Sequence, residues 1–181
     1  MSSYTPSIQS LLRDQSAVND KFKVMVVIQP NTRTTNPLPC TELELQSIEK
    51  IVPSDLLVKL GTSENSATVK DVLSQLSSSD IVHFACHGKQ DVSRPLDSGL
   101  ILHDGERLKI NEIMKLSMPN ASLAFLSACE TAMGTETLPD EAIHLAASLL
   151  FAGFRGVVGT MWCVFSPPPP FLWWPSHDES Y

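Results

Sequence analysis

No run of 18 apolar residues occurs in the 181-residue chain, so a membrane-spanning helix is not expected. The opening Met1-Ser2-Ser3-Tyr4-Thr5-Pro6 lacks a charged region followed by an apolar one, which argues against a secretory signal. Basic residues are few: 13 Lys and Arg stand against 20 Asp and Glu, for a net charge of −7. That balance argues against nucleic acid or an anionic membrane as a standing partner. The acid is uneven, because from Glu130 onward six acidic residues face only Arg155. Cysteine is sparse, at Cys40, Cys86, Cys129 and Cys163. Without an export signal these are expected to be free thiols in a reducing, cytoplasmic compartment.

Several chemistries lack their motif. No two cysteines stand two to four apart, as a structural zinc site requires. His83, Cys86, His87 and Cys129 come nearest to a ligand cluster, yet His83 and Cys86 on one strand would point to opposite faces, so no metal is expected. There is no Gly-x-Ser-x-Gly elbow for a serine hydrolase. Gly153, Gly156 and Gly159 stand three apart with no Lys-Ser/Thr after them, which fits neither a phosphate loop nor a dinucleotide fingerprint, and no cofactor is expected. No repeat appears at periods of 20 to 50 residues.

What is present is an alternation. With 43% hydrophobic and 18% charged residues the chain is of ordinary globular type. Lys23 to Gln29, Leu56 to Leu60, Ile81 to Cys86, Leu123 to Ala128 and Gly156 to Trp162 read as short buried strands. Between them, Leu45, Ile48 and Val52 fall at helical spacing behind Thr41 and Glu44, which are spaced as a capping box. Val69, Val72, Leu73 and Leu76 form a second helical stripe, and Glu141 to Ala152 a third helix that Gly153 can end in a left-handed position. Gly99 to Ile110 reads as a hairpin turned at Asp104-Gly105, followed by a short helix with Asn111 as its cap. Strands and helices in this order predict an α/β fold with a mostly parallel sheet and helices on both faces.

In such a sheet, sites gather at the carboxyl ends of strands, and His87 and Cys129 each follow a strand there. Ends of adjacent parallel strands lie about 5 Å apart, close enough for the two side chains to act on one carbonyl. A cysteine nucleophile works as the thiolate, with a partner to take its proton and backbone N–H groups for the oxyanion. The same two residues also admit a plain structural reading, a buried Cys and a capping His. Asp97 and Ser98, in the loop after His87, are candidate substrate contacts or ordinary turn residues. Glu141 and His144 suit a helix N-terminus better than a proton relay.

Four blocks, HFACHG (His83 to Gly88), PLDSGLIL (Pro95 to Leu102), LSACETAMG (Leu126 to Gly134) and DEAIHLAASLLFAGFRGVVGTMW (Asp140 to Trp162), together resemble the CHAT family, caspase-like domains found beside tetratricopeptide repeats and akin to separase. The resemblance implies a caspase-hemoglobinase-like three-layer sandwich and cysteine-peptidase chemistry. It puts the catalytic histidine on His87 and the nucleophile on Cys129, with the Gly88 and Cys129 backbone amides as oxyanion hole. It further implies a protein or peptide substrate in regulated proteolysis, with a repeat module as a recognition partner.

The segment from Ser166 to Tyr181 departs from the pattern, with five of the 13 prolines together with Trp173 and Trp174. The family's acidic segment, helix and last strand are expected after Trp162, so the sandwich is read as incomplete at its C-terminal edge. An altered C-terminus is favoured over a proline-rich ligand segment for this stretch. The expected organisation is a lead-in (1–22), a truncated caspase-like domain (23–165) and a divergent tail (166–181). The alternative to a peptidase is a non-catalytic caspase-like fragment acting through protein–protein contacts.

Overall fold

Val24–Ile28 (β1) is apolar at every position and buried at every position, as a strand covered on both faces must be. In the computed structural model, which describes residues 22–32, 35–89, 91, 93–118, 120–127 and 141–159, β1 lies inside a five-stranded parallel sheet. Its neighbours are Leu57–Leu60 (β2) and Ile81–Ala85 (β3), followed outward by Leu123–Leu126 (β7) and Gly156–Gly159 (β8), in the order β2-β1-β3-β7-β8. All four pairings are parallel.

Helices cover both faces. Cys40–Glu49 (α1) sends Leu45 and Ile48 against Val24, Val26 and Ile28. On the other face Val69–Leu76 (α2) and Glu141–Ala152 (α4) bring Val72, Leu76, Leu145 and Leu149 against Met25, Val27, Val82, Phe84, Ala124 and Leu126. This alternation of even and odd strand positions between two apolar layers is the period-2 pattern of a sheet. The chain is an α/β three-layer sandwich with a mostly parallel, unclosed central sheet, consistent with the caspase-like architecture. Among the described residues no helix is long and apolar enough to cross a membrane.

Local signals act largely as their chemistry requires. Thr68 caps α2 by accepting from the Asp71 N–H at 3.1 Å. Gly153 ends α4 at φ +134°, and Phe154 N–H returns to the Leu149 carbonyl at 3.1 Å, as expected of the left-handed stop. Gly99–Ile101 (β5) and Arg107–Lys109 (β6) form the expected hairpin, with Asp104 at φ 56° and Gly105 at φ 81° in its turn.

Three details differ from the sequence reading. The run through Gly88 is split at Cys86: His87–Lys89 (β4) leaves the central sheet and pairs antiparallel with β5, making a second, three-stranded sheet. The short helix Ile110–Ile113 (α3) is entered through Lys109, whose N–H donates to Glu112 at 2.9 Å, so Asn111 lies inside it. Thr41 and Glu44 do not cap α1, because Thr41 donates to the Leu38 carbonyl at 2.8 Å and Glu44 turns to the sheet. The expectations for the lead-in through residue 21, for Cys129 and the stretch after it, and for everything beyond Gly159, including the C-terminal edge and the tail, lie outside the described residues. So do the side chains of Glu141 and His144.

Candidate active site

The strand order reverses direction between β1 and β3, since β1 is followed by β2 on one side and β3 lies on the other. Such a switch point opens a crevice at the carboxyl ends of the two strands. The loop after β1 and the start of β4 meet there. His87 is 1% exposed, and its Nε2 lies 2.6 Å from the carbonyl oxygen of Asn36. A carbonyl only accepts, so Nε2 carries the hydrogen and donates it, which leaves Nδ1 with the lone pair in the neutral ring. The next residue is Pro37, which confines Asn36 to extended backbone and so restricts where that carbonyl points. Gly88, beside His87 in β4, is buried and paired opposite Leu100.

The strand leading to Cys129 adjoins β3. β3 and β7 run parallel from Ile81 against Leu123 to Phe84 against Leu126, and the ladder continues with Ser127 N–H donating to the Phe84 carbonyl at 2.8 Å. Cys129 follows Ser127 by two residues, and its own placement lies outside the described residues. The expected adjacency of the two strands therefore holds as far as Ser127.

A polar group on the α1 face of the sheet was not visible as such in the sequence. One Glu44 carboxylate oxygen accepts from the Ser127 hydroxyl at 2.9 Å, and the other lies 2.7 Å from His83 Nε2. The His83 ring stacks on Phe125, its neighbour across the sheet, at 5.1 Å between centroids and 14° between planes. Glu44 is one-third exposed and His83 mostly buried. The Thr41–Glu44 spacing satisfied a helix cap equally well, and the true partners stand 39 and 83 residues away, so no local signal distinguished them.

Cys86 is fully buried, on the face opposite His83. Burial pushes its thiol well above the ordinary thiol range, and the nearby Glu44 charge acts in the same direction. This makes it an inert packing residue. Cys40, by contrast, is exposed at the start of α1.

Asp97 and Ser98 are occupied in closing their loop. The Asp97 carboxylate meets Lys109 at 2.9 Å and Arg94 at 3.1 Å, and its main-chain oxygen accepts from Arg107 at 2.9 Å. The Lys109 hydrogen bond, chiefly, holds the Asp97 carboxyl below the usual carboxylate range. The Ser98 hydroxyl accepts from the Asp91 N–H at 2.9 Å, and its carbonyl from Ile110 N–H at 2.8 Å. These bonds build the wall of small sheet and loop beside His87.

The family model for the CHAT domain matches residues 1–168 of the chain. No curated protein matches it.

Proposed function

The chain belongs to the CHAT domain family, and from that premise we propose that it is a cysteine endopeptidase working through a Cys129–His87 dyad. The observation that carries this reading is the buried His87 at the switch point, its ring oriented by the Nε2 hydrogen bond to the Asn36 carbonyl. The strand next to β3 leads to Cys129 within two residues of Ser127, a length of chain that spans at most about 7 Å.

In this reaction His87 accepts the Cys129 thiol proton and the thiolate attacks the scissile carbonyl carbon. The C=O electron pair moves onto oxygen, where the Gly88 and Cys129 backbone amides donate to it. Collapse of this tetrahedral species breaks the C–N bond, and His87 hands its proton to the leaving amine. Water, deprotonated by His87, then hydrolyses the thioester and regenerates the thiol. Substrate is a protein or peptide, and partner recognition belongs to a repeat module.

A second reading, a non-catalytic caspase-like module that binds a protein, draws on the apolar side chains of Phe151 (63% exposed) and Val158 (47% exposed) at the β8 side. The two separate in one experiment. The full chain is offered a panel of short peptides, beside Cys129→Ala and His87→Ala. The peptidase reading expects turnover that falls by about 10³-fold or more in each variant. Turnover unchanged in the variants, or none in any form with the fold intact, favours the binding module.

A further inference from the structure

One short segment touches both His87 and the end of the strand that leads toward Cys129. At its start the Asn36 carbonyl accepts from His87. At its end Glu44 accepts from Ser127, the residue at the end of the strand leading to Cys129, and meets His83 on the neighbouring strand. Between them the chain is stiffened by Leu38, whose carbonyl accepts from both the N–H and the hydroxyl of Thr41, at 3.1 and 2.8 Å. Leu38 N–H in turn is held by the Pro30 carbonyl at 2.7 Å, at the root of the loop after β1.

We infer that Asn36 to Glu44 is a brace that sets the acid–base histidine and the nucleophile arm against each other, with Glu44 as a positioning residue for Cys129. The inference rests on the peptidase reading and adds to it a residue far in sequence from both His87 and Cys129. The carboxylate uses both oxygens at once, one on each of two parallel strands. Loss of one anchor therefore frees the end of β7, where a displacement of about 1 Å can cost up to 10²-fold in rate. His83, packed flat on Phe125, gives Glu44 a rigid partner to lean on.

The bonds ask for geometry, not charge. Glutamine at position 44 can accept from Ser127 through its carbonyl oxygen and donate through its amide to His83 Nε2 in the other ring tautomer. Alanine can do neither.

The test follows alkylation of Cys129 against pH, and peptide kcat and KM, in the full chain and in Glu44→Ala and Glu44→Gln. Protection of the buried Cys86 reports in the same samples that the core is folded. Expected is a fall of about ten-fold in both the neutral-pH alkylation rate of Cys129 and kcat for Glu44→Ala, with KM little changed and recovery to within about three-fold in Glu44→Gln. Two outcomes overturn the brace: Glu44→Ala with Cys86 protected and an unaltered rate and pH profile, or Glu44→Gln as impaired as Glu44→Ala, which makes the charge the cause. A wild-type Cys129 no faster than an ordinary thiol and indifferent to His87→Ala is a different failure, that of the dyad itself, and the brace falls with it.

Discussion

His87 Nε2 and the Asn36 carbonyl oxygen lie 2.6 Å apart across the switch point of the sheet, joining residues 51 positions apart in the chain. The contact uses backbone on one side, so the identity of residue 36 matters less than the path of its main chain. Asn36 itself is exposed. Pro37 removes the helical region from Asn36 and narrows the directions its carbonyl can take.

This relationship separates two neighbouring substitutions. Asn36→Ala keeps the carbonyl and is expected to leave peptide turnover within about two-fold of wild type. Pro37→Gly releases the backbone on both sides of that peptide and is expected to lower kcat/KM by about three- to ten-fold. Steady-state kinetics on both variants, with thermal unfolding as a control on the fold, decides between backbone and side chain. Equal effects from the two would remove the carbonyl from the account.

Several features that depend on residues close in sequence were legible in it. The left-handed stop at Gly153, the Asp104-Gly105 turn and the α2 stripe each follow from a few adjacent residues and appear where expected. His87 was recognisable as a strand-end residue, but its transfer into a second sheet was not. A single bend at Cys86 in an apolar run leaves no mark in composition. Glu44 was misread because the Ser/Thr-x-x-Glu spacing is local, whereas its bonds to His83 and Ser127 exist only once β3 and β7 are side by side. Asp97 and Ser98 were open between substrate contact and turn chemistry, and the bonds they make here are those of the turn.

The α4 stop offers a stability test with a clear cause. Gly153 has φ +134°, and a Cβ placed on it would stand 2.5 Å from the Met118 carbonyl oxygen. Gly153→Ala therefore strains the backbone and forces the Met118 turn to move, and a loss of about 2–3 kcal/mol is expected from urea unfolding. A loss below about 0.5 kcal/mol would mean that the turn carrying Met118 yields freely.

The Asp97 cluster has a pH signature. Its folded carboxyl titrates below the unfolded one, so its contribution is present above about pH 4 and is lost as pH falls through the folded value. Asp97→Asn is accordingly expected to lower the urea midpoint modestly at pH 7 and to converge on wild type as pH falls through the folded value. The effect stays small because the carboxylate pairs at the surface, where solvent and salt screen it. A difference that persists unchanged to low pH would trace to packing of the loop and not to the ion pairs with Lys109 and Arg94.

Cys86 shows how far a thiol in this fold can be from reactivity. It is fully buried in the apolar layer formed by Phe84, Leu100 and Leu102, and burial raises its titration far out of the neutral range. Native-state alkylation at pH 8 is therefore expected to label the exposed Cys40 and to spare Cys86 until denaturant is added. The same environment orders the substitutions at this position. Cys86→Ala removes one sulfur atom from the core and is expected to cost about 1–2 kcal/mol. Cys86→Ser keeps the shape but buries a hydroxyl among aliphatic side chains, adding a desolvation penalty of about 1–3 kcal/mol if it finds no acceptor. Serine, the closer match in size, should thus be the more damaging of the two in urea unfolding. The reverse order would mean that a polar partner reaches this site and accepts from the serine hydroxyl.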